Sequence, residues 1–208
     1  ATEEVFGATM HDYTARLMIS KLSGLNVNAT TTQHTAAFLF GNESRPQDKF
    51  IYTDLGERFP GYKYSFGKSE YRGEDPGEGG YVYSEPGVYT DVALLDVASM
   101  HPTSAIELDY FGPYTQRFAD LKQTRIYIKH GEYDKAKKMF GGILEEFLQD
   151  PESADMLSYA LKIIINIVYG MTSAKFDNKF RHKLNQDNIV AKRGALFMIN
   201  LKHEVQKR

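Results

Sequence analysis

The chain has 208 residues and no cysteine. This excludes disulfides, thiolate zinc centres and cysteine nucleophiles. It accords with a cytoplasmic protein. Long apolar runs are also lacking. The longest, Ile163 to Val168, is interrupted by Asn166, whereas a membrane-spanning helix needs about 20 predominantly apolar residues. The first four residues, Ala1-Thr2-Glu3-Glu4, are acidic and carry no apolar stretch, so no signal peptide is read there. Internal repeats and low-complexity tracts are absent. With 42% hydrophobic and 25% charged residues, collagen-like, coiled-coil and largely disordered chains are excluded.

Net charge is small, at −2, but unevenly spread. Residues 1–116 hold 8 Lys/Arg against 16 Asp/Glu, a net of −8, and residues 117–208 hold 17 against 11, a net of +6. A basic half leaves room for an anionic partner. Two differently charged solvated faces would give the same count.

Hydrophobic periodicity predicts a mostly helical chain. His11–Leu22 places Tyr13, Leu17, Met18 and Leu22 at helical spacing, with Gly24 as the stop. Thr31–Phe40 is a second helix, capped by Thr30 or Thr31. Residues 41–90 differ: they hold most of the glycines and prolines, and 73–80 reads as a loop. Tyr81-Val82-Tyr83 and Val88–Asp96 read as short strands, the second ending in an acid. Further helices are predicted over Thr115–His130, Asp134–Phe140, Ser153–Tyr169 and Val190–Gln206. Asp150-Pro151-Glu152 reads as the start of the third of these.

Two stretches invite chemistry. A carboxylate at a strand end, Asp96 before a turn at Pro102, suits a hard metal such as Mg²⁺, which prefers oxygen donors; a turn-forming aspartate has the same sequence. On the 153–169 helix, Lys162, Asn166, Tyr169 and Gly170 fall at i, i+4, i+7 and i+8 and share one face. Arg125 and Lys129 share a face of the preceding helix. Three cations in one cleft opposite a metal-binding carboxylate would serve nucleotidyl transfer, the cations neutralising a triphosphate and the metal activating the attacking hydroxyl. Lysines and arginines on a solvated helix face are the plainer alternative.

Taken in order, Gly79-Gly80-Tyr81-Val82, Glu85-Pro-Gly-Val-Tyr89, Asp96-Val-Ala-Ser-Met-His-Pro102, Arg125-x3-Lys129 and Lys162-x3-Asn166-x2-Tyr169-Gly170 resemble a family B DNA polymerase of the bacteriophage type. The likeness runs from about Thr30 onward, through a G-G-x-V loop, motif A and motif B. It implies an α+β fold: a partial palm of short antiparallel strands plus helices, an antiparallel two-helix fingers insertion and an N-terminal helical segment. The implied domains are an N-terminal helical segment (1–45), a partial palm with a template-side loop and motif A (46–110), fingers helices with motif B (111–172) and a palm helix (173–208).

By matched position, the resemblance implies that Asp96 is the catalytic carboxylate and, with the Val97 carbonyl, a ligand of two Mg²⁺ ions. Ser99 and Met100 would offer backbone amides to the incoming triphosphate. His101 falls where the family has a tyrosine that screens the sugar. Arg125, Lys129 and Lys162 would hold the triphosphate, Asn166 would contact the nucleotide, and Tyr169 would pack near the nascent pair. Gly79, Gly80, Tyr81 and Gly170 would approach the template. Primer–template DNA and deoxynucleotides are the implied partners.

Three departures shape the expectation. His101 replaces Tyr, Ile167 replaces Ser, and no D-T-D-S motif C follows the last helix, since Asp187 sits in an Asn-Gln-Asp-Asn loop. The chain is therefore expected to be a polymerase piece without motif C, thumb or exonuclease, its two-metal site incomplete and its synthesis inactive alone. A palm sheet lacking its hairpin would leave an open strand edge and favour self-association. The alternatives are a stand-alone DNA- or nucleotide-binding subunit of a split polymerase, or a phosphate-binding domain of unrelated function.

Overall fold

In a computed structural model, residues 10–78 and 80–207 are described. They form an α+β structure that is mostly helical. The helices are α1 (Met10–Ser23), α2 (Thr31–Phe40), α3 (Leu55–Arg58), α4 (Met100–Glu107), α5 (Thr115–Lys129), α6 (Tyr133–Lys137), α7 (Pro151–Ser173) and α8 (Ile189–Gln206). The described strands are β1 (Lys63–Ser65) and β2 (Lys68–Glu70), an antiparallel hairpin pairing Lys63 with Glu70, Tyr64 with Ser69 and Ser65 with Lys68.

Local chemistry sets the helix ends. Thr30 caps α2 through a capping box with Gln33. The Asp150 carboxylate accepts the Ser153 N–H at 2.9 Å, and Pro151 occupies the first helical turn of α7, where no N–H is needed. Gly24, at φ +71°, donates its N–H to the Ser20 carbonyl at 2.9 Å and ends α1.

One hydrophobic core holds the chain, in two adjoining parts. In the first, α7 packs against α1, α2 and α5. Leu157, Leu161, Ile164, Ile165 and Val168 are buried on its apolar side, as their spacing predicts, and Phe118, Leu121 and Ile128 are buried on α5. By length and composition α7 could also cross a membrane, but here that apolar side belongs to the core. The second part is aromatic and joins the first where Phe111 meets Phe118 at 5.3 Å. The Phe40 ring meets Phe50, Phe111, Tyr114 and Phe180 at centroid distances of 5.1–6.2 Å. Beside it the buried Tyr110 hydroxyl accepts the His182 N–H at 2.9 Å and the Asn185 amide at 3.2 Å, which fixes the segment leading into α8. Gly112 closes this corner: at φ +53°, a β-carbon there would sit 2.3 Å from the Lys49 carbonyl oxygen.

Two expectations are corrected. Tyr81–Tyr83 and Val88–Asp96 form no strand among the described residues. Val88 is 99% exposed, Leu94 93% and Leu95 76%. A strand exists only through hydrogen bonds to a neighbouring backbone, and no described strand lies beside this one. Neither expected strand is thus formed, and the two described strands lie at 63–70, outside both expected ones. Nor does the chain turn at Pro102; α4 runs through it. Pro102 stands in the first turn, where a helix leaves its N–H groups unbonded, so the missing donor costs nothing.

Candidate functional site

The motif A-like and motif B-like segments meet through two rings. His101, in the first turn of α4, stacks on Tyr169 of α7 with centroids 3.9 Å apart and planes 9° apart. Burial pushes the His101 imidazole below its ordinary pKa, so the neutral form is favoured, and its Nδ1 has no partner. Two residues on, Thr103 accepts a hydrogen bond from Lys122 Nζ of α5 at 3.1 Å. The start of α4 is therefore pinned to both helices expected to form the fingers, and α5 packs against α7.

The cations count outward from these pins with equal steps. Arg125 is three residues from Lys122, as Asn166 is from Tyr169; Lys129 and Lys162 are each seven away. At a rise of 1.5 Å per residue these are offsets of about 4.5 and about 10.5 Å along each axis. Lys129, Lys162 and Asn166 are exposed, while Arg125 is half-buried with its Nε unpartnered. Burial lowers the Arg125 pKa, yet a guanidinium keeps its charge in proteins. Gly170, next to Tyr169, is exposed.

Asp96 is not part of this assembly in the way its position suggested. It was expected at the end of a buried strand; it is exposed on an irregular segment. Val97, Ser99 and Met100 lead from it into α4, with Ser99 in left-handed backbone at φ 54° and no side-chain cap. Ser99 and Met100 thus stand at the N-terminal end of α4. Gly80 is exposed, and Gly79 lies outside the described residues. Tyr81 is tied to α8. Its hydroxyl donates to Glu74, which also receives Lys202 Nζ at 2.8 Å and lies 2.8 Å from His203 Nε2.

The described side chains supply only part of a two-metal site. Among the described residues no three Asp, Glu or His side chains group as metal ligands. Asp96 and the Val97 carbonyl supply one carboxylate and one neutral oxygen, too few to hold a pair of hard cations.

The structure adds a feature that the sequence reading passed over. Beside Tyr169 opens a cavity of about 480 Å³, whose lining includes Tyr64, Gly67, Glu78, Lys175, Arg181, Asn185, Asp187, Asn188 and Lys192. Asp187 is buried, with the Tyr62 hydroxyl donating to Oδ2 at 3.4 Å and Oδ1 unpartnered. Burial raises its carboxyl pKa, outweighing the hydrogen bonds and the Lys192 charge that favour the anion. The neighbouring Tyr52 phenol is pushed up to about 12, chiefly by burial and then by the Asp187 charge. Lys192 is buried too, which lowers its pKa; its ammonium donates to Ser69 Oγ at 2.8 Å and to the Gly77 carbonyl. Asn185 Oδ1 accepts the Ile189 N–H at 2.9 Å and starts α8. The one sequence signal was this polar Asn-Gln-Asp-Asn run before an apolar helix, a start signature that says nothing about a cavity.

No protein-family model, curated protein or solved structure matches this chain.

Proposed function

We propose that the chain is part of a template-directed DNA polymerase of the family B type, contributing fingers helices and part of the palm. The observation that carries this reading is the His101–Tyr169 stack, which joins two segments whose residues match motif A and motif B. In this reading Arg125, Lys129 and Lys162 hold the triphosphate by charge. Arg125 and Lys129 lie about 4.5 and about 10.5 Å along the α5 axis from Lys122, and Lys162 about 10.5 Å along the α7 axis from Tyr169. Asn166 and Tyr169 orient the base, and the neutral His101 ring, fixed by stacking, borders the sugar. Mg²⁺, when bound, would supply activation of the primer hydroxyl; Asp96 and the Val97 carbonyl would be its ligands from this chain, with further carboxylates from outside it.

A second reading, a DNA- or nucleotide-binding subunit of a split polymerase, has one observation in its favour. The exposed apolar Val88–Leu95 segment is suited to pairing with a strand supplied by another chain. The two readings share every residue role and differ in where the missing carboxylates come from.

The test is Asp96→Asn in an active polymerase that includes this chain. Primer extension falls about a thousandfold or more, because a metal ligand is lost, while primer–template affinity stays within about threefold of wild type. Retained extension would overturn the assignment of Asp96.

A further inference from the structure

The turn that leads into α8 leaves two oxygen acceptors unused at one cavity. Asn188 stands at the N-cap of α8 in left-handed backbone, φ 52°, and makes no side-chain cap bond. Asparagine is among the residues that most often cap a helix. Here Asn185 does so instead, its Oδ1 accepting the Ile189 N–H at 2.9 Å. Asn188 Oδ1 is left buried with no partner. The residue before it, Asp187, is only 7% exposed, and its Oδ1 has no partner either. Both residues line the cavity beside Tyr169. Buried acceptors are normally hydrogen-bonded. Two consecutive orphans on one cavity wall therefore point to a ligand that brings the donors. Burial also raises the Asp187 carboxyl, and an N–H donated to it would favour the anion again.

The rest of the lining narrows the choice of ligand. At about 480 Å³ the cavity is of small-molecule size. Its charged side chains are Lys175, Arg181 and Lys192 against Glu78 and Asp187. Inside, Asp187 is set against Lys192, which is 3% exposed and donates to Ser69 Oγ at 2.8 Å and to the Gly77 carbonyl. Glu78 and Lys175 are both exposed and cancel in the count. The half-buried Arg181 is the charge left over. It gives Nε and Nη2 to the Asn185 carbonyl at 3.2 and 3.1 Å, which leaves Nη1 for an anion. A cationic donor such as an alkylammonium would meet this surplus of positive charge; a neutral donor group on an anionic molecule would not. Tyr64 and Tyr169 bring aromatic rings to the wall, which suits a planar heterocycle. Guanine carrying a phosphate meets all these conditions. Its N1–H and 2-amino groups lie side by side on one edge, whereas adenine, cytosine and uracil each offer one donor group on theirs.

We propose that this cavity binds a guanine mononucleotide, its N1–H and 2-amino groups donating to Asp187 Oδ1 and Asn188 Oδ1 and its phosphate held by Arg181. The site shares Tyr169 with the matched motifs, but it goes beyond the polymerase reading and does not rest on it.

Titration calorimetry on the full chain compares guanosine 5′-monophosphate with the inosine and adenosine monophosphates and with guanosine. The guanine nucleotide binds about 10- to 100-fold more tightly than either other nucleotide, because each leaves a buried acceptor unpaired. It also outbinds guanosine, which lacks the phosphate. Asp187→Asn keeps the size of the side chain and weakens guanine nucleotide binding about 10- to 100-fold. Asn188→Gly keeps the left-handed backbone and erases the advantage of guanine over inosine, whose ring lacks the 2-amino group. The comparison among ligands is made on wild type, so it decides the matter even where a variant fails to fold. Adenosine monophosphate binding as tightly as the guanine nucleotide would overturn the inference. So would unchanged guanine nucleotide affinity in a folded Asp187→Asn, or no binding by wild type at about 1 mM ligand. None of these results touches primer extension in the Asp96→Asn test, so this inference can fail while the polymerase reading stands.

Discussion

The α7 helix and the Val88–Leu95 segment are both rich in branched aliphatic residues, yet they end in opposite states. Leu157, Leu161 and Ile164 are fully buried, while Val88, Leu94 and Leu95 are almost fully exposed. The difference lies in where each finds its backbone partners. A helix satisfies its N–H and C=O groups within itself and needs neighbours only for its apolar side, which α1, α2 and α5 cover. A strand must borrow a neighbour for its backbone before its side chains can pack. Similar apolar content thus yields a core in one place and a sticky surface in the other.

The contrast is broken most directly by equal truncations. Leu161→Ala is expected to destabilise the fold by about 2–5 kcal/mol, because a fully buried leucine leaves both lost transfer energy and a cavity. Urea melts followed by circular dichroism check this, and a shift under about 1 kcal/mol would mean that α7 is not the core.

A smaller effect tests the buried edge of the bundle through pH. His34 is fully buried, its Nδ1 lies 2.6 Å from Ser23 Oγ, and its Nε2 has no partner. Burial, followed by the Arg16 charge, holds its pKa below 6.5, and burial does the same for His101. The folded state therefore binds these protons less well than the unfolded state does. Their contribution to stability is complete above 6.5 and is lost as pH falls from there through the lowered folded values. Tm should drop across the acid side of about pH 6.5; a flat profile there would remove the buried-histidine account.

The smallest effect on stability belongs to the open segment. Leu94→Ser should change unfolding free energy by less than about 0.5 kcal/mol, since the side chain is 93% exposed and leaves no cavity. It should nonetheless reduce concentration-dependent association measured by light scattering, by placing a polar group on the exposed apolar strip. Stability lost to the same degree as in Leu161→Ala would show that the segment is packed after all.

Legibility in the sequence followed the same division. The helices were readable to within a few residues because their signals are local: the Thr30 capping box, the Asp150 cap, Gly24, and the spacing of Leu157, Leu161, Ile164 and Val168. α4 was missed because Pro102 was read as a turn, although proline is welcome in a first helical turn. The strands were misplaced because alternation signals a willingness to pair and says nothing of whether a partner is present. Among candidate site residues, the shared faces of Arg125 with Lys129 and of Lys162 with Asn166 and Tyr169 follow from helical periodicity. The exposure of Asp96 does not, since it depends on what covers it.

By itself the sequence determined the longer helical segments, their caps and their apolar sides, because each depends on residues within about one turn of one another. Tertiary structure alone decided that His101 stacks on Tyr169, that Asp187 and Lys192 are buried beside one cavity, and that Phe66 stands free at a hairpin tip. Those outcomes join residues far apart in the chain, and burial and charge at such places are set by the neighbours that packing brings.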